Sequence, residues 1–444
     1  TISWAETEKV DLDNLVSMSS LQEEEELYSL TDVLMTEVTV ASTKAKSVFK
    51  SMSTVTVIDR KTIERYNYQS VAEALNTVSG FDVSRTYVKQ NLPTARGILQ
   101  THYANKMLVM INNVPTWHAV TGEGNLERVN IRDVERIEVL KGPASVKYGS
   151  NSYSGAVNIV LRDQKKKSFY VGGGSDGNMM AGVRAGKGNN SFYLNLQDMD
   201  GYDFDYLDEL GTRGNVEDYV KNSNFTWTHV SKNHKVLANT YRGGEGYLGV
   251  LPRNNRGAGI EHELEGRLIS YEYCRDLNKR DSFKFHTSYD WNERDLARNA
   301  TDRSLIAGYR FTSGLLFQRQ VRKDFNWEFG WDYDSRTSQS YRNYNSLTDQ
   351  NLGENNLNDK DVWEYSFFGN AMWEGKKVNS SAGIRYTKNQ LFGNNTAFHL
   401  TFVRPLSETS SWKFIYAQSY RAPSLFELNF ETGTGTVFGD PNLE

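Results

Sequence analysis

The stretch VERIEVLKGPASVKYGSNSYSGAVNIVLR, residues 134–162, decides how this chain is read. Val134, Ile137, Val139 and Leu140 supply an apolar strand that Gly142 and Pro143 stop, since proline lacks a backbone donor and glycine opens conformations closed to other residues. Gly149 and Gly155 then permit tight turns around a short helical segment before residues 156–161 form a second strand. Few other contexts need that order.

Upstream, STVTVIDRKTIERYNYQSVAEALNTVSGFDVSR (residues 53–85) reads as a β-rich run, a helix opening near Asp59 and a second helix capped around Ser70. ARGILQ (95–100) follows, then KMLVMINNVPT (106–116), whose apolar run ends in Asn112-Asn113, residues that tolerate turn conformations. Near the other end stand YRAPSLFELNF (420–430) and GDPNLE (439–444). Together these segments resemble the plug and a barrel-strand signature of TonB-dependent outer-membrane receptors. The resemblance implies an α+β plug domain, residues 48–165, inside an antiparallel transmembrane β-barrel that begins with residues 166–444.

The barrel shows itself independently, in period two. FNWEFGWDY (325–333) alternates Phe325, Trp327, Phe329, Trp331 and Tyr333 with Asn326, Glu328, Gly330 and Asp332. The pattern recurs with Phe283, Phe285, Tyr289 and Trp291, and again with Trp363, Tyr365, Phe367 and Trp373. Lipid outside and water inside demand it. A soluble sandwich with one buried face would show the same alternation, so connection lengths decide. About thirteen strand-like segments run from Ser168 to Ala422. Short connections at 188–190, 231–234, 276–281, 322–324, 375–377 and 407–410 all fall on one side. The alternate connections include 203–222, 243–262, 295–302 and 342–361, polar and rich in Asn, Asp and Gly, although 175–178 and 393–395 are short. Outer-membrane barrels have this asymmetry.

Composition agrees. Aromatic residues make up 12% of the chain at a mean hydropathy of −0.62, with no apolar run near the roughly 20 residues of a spanning helix. A barrel needs none, because only alternate residues face lipid and every backbone group pairs between strands. The net charge of −4 argues against a nucleic-acid partner. Cys274 is the single cysteine and cannot form an intrachain disulfide.

Residues 1–47 are expected to hold a signal-peptide remnant, with Ser3 and Ala5 at the spacing of a cleavage site, then an acidic periplasmic extension. Glu37, Val38, Thr39, Val40 and Ala41 resemble a TonB box just before the plug. β-Branched residues stay extended there and can add a strand to a partner sheet; a first plug strand or a linker is the alternative. The family resemblance implies the rest of the mechanism: the chain lies in the bacterial outer membrane with a periplasmic N-terminus, and TonB and its inner-membrane complex supply the work. Substrate binding would release the box, and pulling on it would rearrange the plug.

Outward plug loops are expected to present Arg85 and Tyr87, then Gln100, His102 and Tyr103, then Trp117 and His118, aromatic and cationic groups suited to an anionic aromatic iron chelate. Arg96, Arg136 and Glu138 are expected to seat the plug against barrel charges such as Glu328 or Glu364. Two other motifs read as a turn and a solvated acidic loop, with a loose divalent-cation site the alternative for the second. Gly172, Gly174 and Gly177 satisfy G-x-G-x-x-G but precede a strand rather than a helix. Asp198, Asp200 and Glu209 sit at EF-hand spacing, yet Asp203 occupies the position that wants glycine. There is no H-E-x-x-H, so no enzyme, resident metal or cofactor is expected.

The expected function is energised import of an iron–siderophore complex across outer-membrane lipid. Haem, cobalamin or a small carbohydrate are alternative cargoes, and a passive porin or adhesin the alternative class. The haem reading is lowered because no histidine lies between residues 420–423 and 440–443. Enclosing such a plug takes about 22 strands, so the chain is expected to be truncated.

Overall fold

The computed structural model describes residues 37–38, 46–47, 53–86, 90–98, 103, 105–162, 167–207, 211, 213–247, 260–299, 302–345, 348–354, 357–407, 410–431, 439–440 and 442–443. At the start, β1 (Glu37–Val38) pairs antiparallel with β2 (Lys46–Ser47). Thr39, Val40 and Ala41 lie outside the described residues.

β3 (Val55–Asp59) leads into α1 (Arg60–Arg65), which opens where Asp59 accepts a bond from the Thr62 amide at 2.8 Å. α2 (Val71–Leu75) opens where Ser70 accepts from the Glu73 amide at 3.1 Å. Both caps satisfy amides that have no partner in a first helical turn. β4 (Phe81–Arg85) and β5 (Asn91–Ala95) form a hairpin. β6 (Met107–Ile111) and β7 (Val114–Thr116) are joined by Asn112 and Asn113, both at positive φ (49° and 65°), the conformation a two-residue hairpin turn requires.

β8 (Val134–Lys141), α3 (Ser145–Tyr148) and β9 (Gly155–Leu161) complete this domain. Its sheet runs β3-β8-β9-β6-β7, with β9 parallel to β6. β6 is apolar and buried along its whole length, which explains why MLVMI shows no alternation. The core is built from Ile63, Leu75, Val109, Ile137, Val157 and Ile159. A Cβ on Gly155 would collide with the Leu140 carbonyl oxygen, so glycine lets β9 begin close against the end of its antiparallel neighbour β8.

Thirteen strands then form one continuous antiparallel sheet: β10 (Ser168–Gly173), β11 (Met179–Lys187), β12 (Asn190–Met199), β15 (Val220–Val230), β16 (His234–Tyr247), β17 (Ile260–Asp276), β18 (Asp281–Asn299), β19 (Asp302–Arg322), β20 (Phe325–Tyr344), β22 (Lys360–Glu374), β23 (Asn379–Asn389), β24 (Gly393–Pro405) and β25 (Ser411–Ala417). A separate hairpin of β13 (Asp203–Leu207) and β14 (Arg213–Glu217) sits between β12 and β15, and β21 (Asn351–Glu354) pairs with β20. The sheet curves around the first domain and is open between β10 and β25. Connections 188–189, 231–233, 277–280, 323–324, 375–378 and 406–410 share one end of the sheet, the short-turn end; the connections carrying β13, β14 and β21 are at the other.

The outward face is apolar, with Phe311, Phe329, Phe367 and Phe398 all exposed, while Asn195, Asn239, Asp290, Arg310 and Arg336 point inward and are buried. Among the described residues no helix is long and apolar enough to cross a membrane. The strands are longer at the long-loop end than the polar composition of 243–262 and 295–302 suggests. β18, β19 and β20 run 19, 21 and 20 residues, about twice what a tilted strand needs to cross the hydrocarbon. Antiparallel pairing continues beyond lipid because each added polar residue still closes a backbone ladder bond.

Candidate functional site

The inner domain meets the sheet through buried ion pairs. Arg128 bonds Asp290 at 2.7 Å, Asn239 at 3.0 Å and Asn292 at 3.2 Å, and the Arg128 and Asp290 side chains are 2% and 1% exposed. Arg184 of β11 reaches Asp133 at 2.9 Å, and Arg294 of β18 reaches Glu123 at 3.2 Å. Arg310 donates to the Pro115 carbonyl at 3.2 Å and stacks over Trp117 at 4.4 Å, with Arg336 at 5.1 Å from the same ring. Desolvated charges of this kind persist only when paired.

The three residues expected to seat the plug make the following contacts. Arg136 pairs with Glu138 two residues along β8 at 2.8 Å, and Glu138 also accepts from Asn158. Arg96, at φ 55°, packs its guanidinium beside Gly142. Glu328 accepts from Gln318 and Asn370, and Glu364 from Arg336 and Asn389. Alternation along one strand places Arg136 and Glu138 on the same face, close enough to satisfy each other. Arg128, Asp133 and Glu123 make cross-domain pairs, and nothing in EGNLERVN or IRDVE marks them in sequence.

The expected substrate residues divide into three groups. Tyr87, Gln100 and His102 lie outside the described residues. Arg85 and Tyr103 are at the long-loop end: Arg85, half exposed, bonds Glu245 at 2.9 Å, and Tyr103 accepts from Arg294 at 3.1 Å. Trp117 and His118 are buried, each 5% exposed. The His118 Nδ1 accepts from the Val120 amide at 3.2 Å, and the His118 carbonyl accepts from Gly122. Burial, with Arg294 adding to it, lowers the His118 imidazole to about 3, so it is neutral. Burial pushes Glu123 upward against the opposing pull of Arg294.

Residues 419–430 cover that buried loop. They leave β25, turn into the lumen and form α4 (Leu425–Asn429), opened by a capping box between Ser424 and Glu427. The Phe426 amide donates to the Val120 carbonyl at 2.9 Å. Tyr420 and Ala422 amides donate to Ser145 and Ser150 at 3.2 and 2.9 Å, and Ser419 donates to the Ser152 carbonyl at 3.1 Å. Two sequence signatures some 270 positions apart are thus hydrogen-bonded to one another. Toward the short-turn end a cavity of about 900 Å³ opens between the inner domain and the wall, roofed by Val146, Lys147 and Tyr148 and reaching Asn233 and Asp276.

Comparison with known proteins agrees with this architecture. Residues 47–156 match the TonB-dependent receptor plug domain, and residues 147–444 the TonB-dependent receptor-like β-barrel. The fold is similar to the ferric enterobactin receptor of Pseudomonas aeruginosa (TM-score 0.64, 15% identity, 85% of this chain and 64% of that one). It is also similar to the ferric citrate transporter FecA (TM-score 0.62, 15% identity, 84% and 64%). In sequence, the vitamin B12 transporter BtuB of Photobacterium profundum is 32% identical over 127 residues, 28% of this chain and 20% of that protein. The chain spans less than two thirds of the length of these relatives. The inner domain is a plug, the curved sheet is part of an outer-membrane barrel, and the chain belongs to the TonB-dependent receptor family.

Proposed function

We propose that the chain is the plug-bearing part of an energised importer, with its N-terminus in the periplasm and its long loops outside. The observation that carries the reading is a plug tied to the inner face of the sheet. Buried pairs from Arg128, Asp133 and Glu123 tie the plug to the wall, so a solute passes only when work displaces them. TonB, driven from the inner membrane, would supply that work by pulling on Glu37, Val38, Thr39, Val40 and Ala41. Glu37 and Val38 are extended and paired with Ser47 and Lys46, a contact that a partner strand could replace. Ligand must favour the box-released state over the docked one, because equal affinity for both shifts nothing.

The cargo best supported is an iron–siderophore complex, in line with the ferric ligands named for the structural relatives. Cobalamin is the second reading, favoured by the match to the vitamin B12 transporter. Arg85 and Tyr103, together with Tyr87, Gln100 and His102, are assigned to first contact; Trp117 and His118 would be reached only once residues 419–430 move. A passive porin or adhesin would have no use for a plug held by buried charge. The test is uptake of labelled ferric chelates and cobalamin by cells carrying the full-length receptor. Val38→Pro with Val40→Pro should abolish uptake and leave surface binding intact; unchanged uptake would rule out coupling through this segment.

A further inference from the structure

We propose that residues 419–430 are a coupling strap: an aromatic ring of the ligand wedges against Tyr103, Phe426 and Phe430, and the displacement is drawn through the strap onto the α3 turn that roofs the inner cavity. This rests on the importer reading and adds to it the chemical class of the ligand and the route of its signal.

Three regions remote in sequence build the ring site. Phe426 and Phe430 stack at 4.3 Å, Tyr103 of the plug meets Phe426 edge-on at 4.9 Å, and Tyr341 of β20 stands edge-on to both at 6.3 and 5.8 Å. Tyr103, Phe426 and Phe430 are only half-buried, so the cluster is reachable. Rings favour such stacked and edge-on partners beyond their apolar area. Arg294, paired with Glu123, lies 5.0 Å from the Tyr103 ring and donates to its hydroxyl, which fixes that ring in place. The class that fits is a ring-bearing ferric chelate, in preference to an aliphatic carboxylate chelate.

The other end of the strap grips the plug. Its bonds to Ser145, Ser150 and Ser152 fall on α3 and the loop that follows it, and Val146, Lys147 and Tyr148 of that helix line the inner cavity. Between the two ends, the capping box and an Arg421–Glu427 pair at 2.6 Å stiffen α4. Movement at Phe426 is therefore carried to Ser150 rather than absorbed in a loose loop.

The test uses full-length receptor with Cys274→Ser. Probes are ferric tris-dihydroxybenzoate and ferric citrate. Phe426→Leu keeps apolar volume and loses the ring; it should weaken the catecholate probe about tenfold, the worth of one ring contact, and leave ferric citrate unchanged. Ser150→Cys with Ala422→Cys, oxidised, should bind the catecholate probe normally, abolish its uptake, and recover uptake on reduction. In purified receptor the probe should change protease cleavage at 149–154, and the crosslink should suppress that change; this readout is independent of import. Absence of catecholate binding, undiminished binding in Phe426→Leu, or probe-induced cleavage that persists in the crosslinked receptor would each overturn the proposal. Uptake failing in the unlinked receptor while cleavage responds would instead count against the importer reading alone.

Discussion

Replacing Arg128 with methionine tests whether buried charge holds the plug. Arg128 gives three hydrogen bonds to the wall's polar ring at Asp290, Asn239 and Asn292, and its Nη2 has no partner among the described residues. Asp290 Oδ2 is likewise unpartnered. Methionine fills much of the volume but strands the Asp290 carboxylate, and breaking a buried pair on one side costs about 3–5 kcal/mol. The strands of the wall keep their own ladder, so the loss falls on plug docking. At about 1.4 kcal/mol per power of ten, the plug-displaced population should rise roughly a hundred- to several-thousand-fold. Hydrogen exchange of the β8 and β9 amides measures that population directly. Arg128→Met with Asp290→Leu removes both charges and should recover most of the loss. A single variant that raises exchange less than tenfold, or a double variant no better than the single, would refute the idea that this pair seats the plug.

Two further outcomes follow from local geometry. Gly155→Ala should destabilise the plug by about 3 kcal/mol, because its Cβ would meet the Leu140 carbonyl oxygen at φ 155°; urea unfolding followed by thermolysin cleavage reads this, and a loss under 1 kcal/mol (roughly the surface range) would contradict the close approach. Burial, with Glu245 beside it, raises the Glu127 carboxyl from 4.5 to about 7. The docked plug then binds the extra proton between those values, so stability is greatest below 4.5 and declines as pH rises toward 7. Glu127→Gln should remove that part of the slope in the urea midpoint; an unchanged slope would show that Glu127 does not cause it.

The amino-acid sequence by itself determined the local elements and the class of fold. Asp59 and Ser70 open their helices, Asn112 and Asn113 turn their hairpin, and the aromatics of 325–333 face outward, because caps, turns and two-residue alternation depend on near neighbours. Strand ends beyond lipid were less legible: polar residues at 295–299 look like loop, yet a paired neighbour keeps them in β18. Only the tertiary structure decided the partners of Arg128, Asp133 and Glu123, the turning inward of Arg136 to Glu138, the burial of Trp117 and His118, and the bonds between 419–426 and the plug. Each depends on which strand of the curved sheet faces which loop of the plug. That juxtaposition is set by sheet curvature and register across more than a hundred residues, and no short stretch of sequence encodes it.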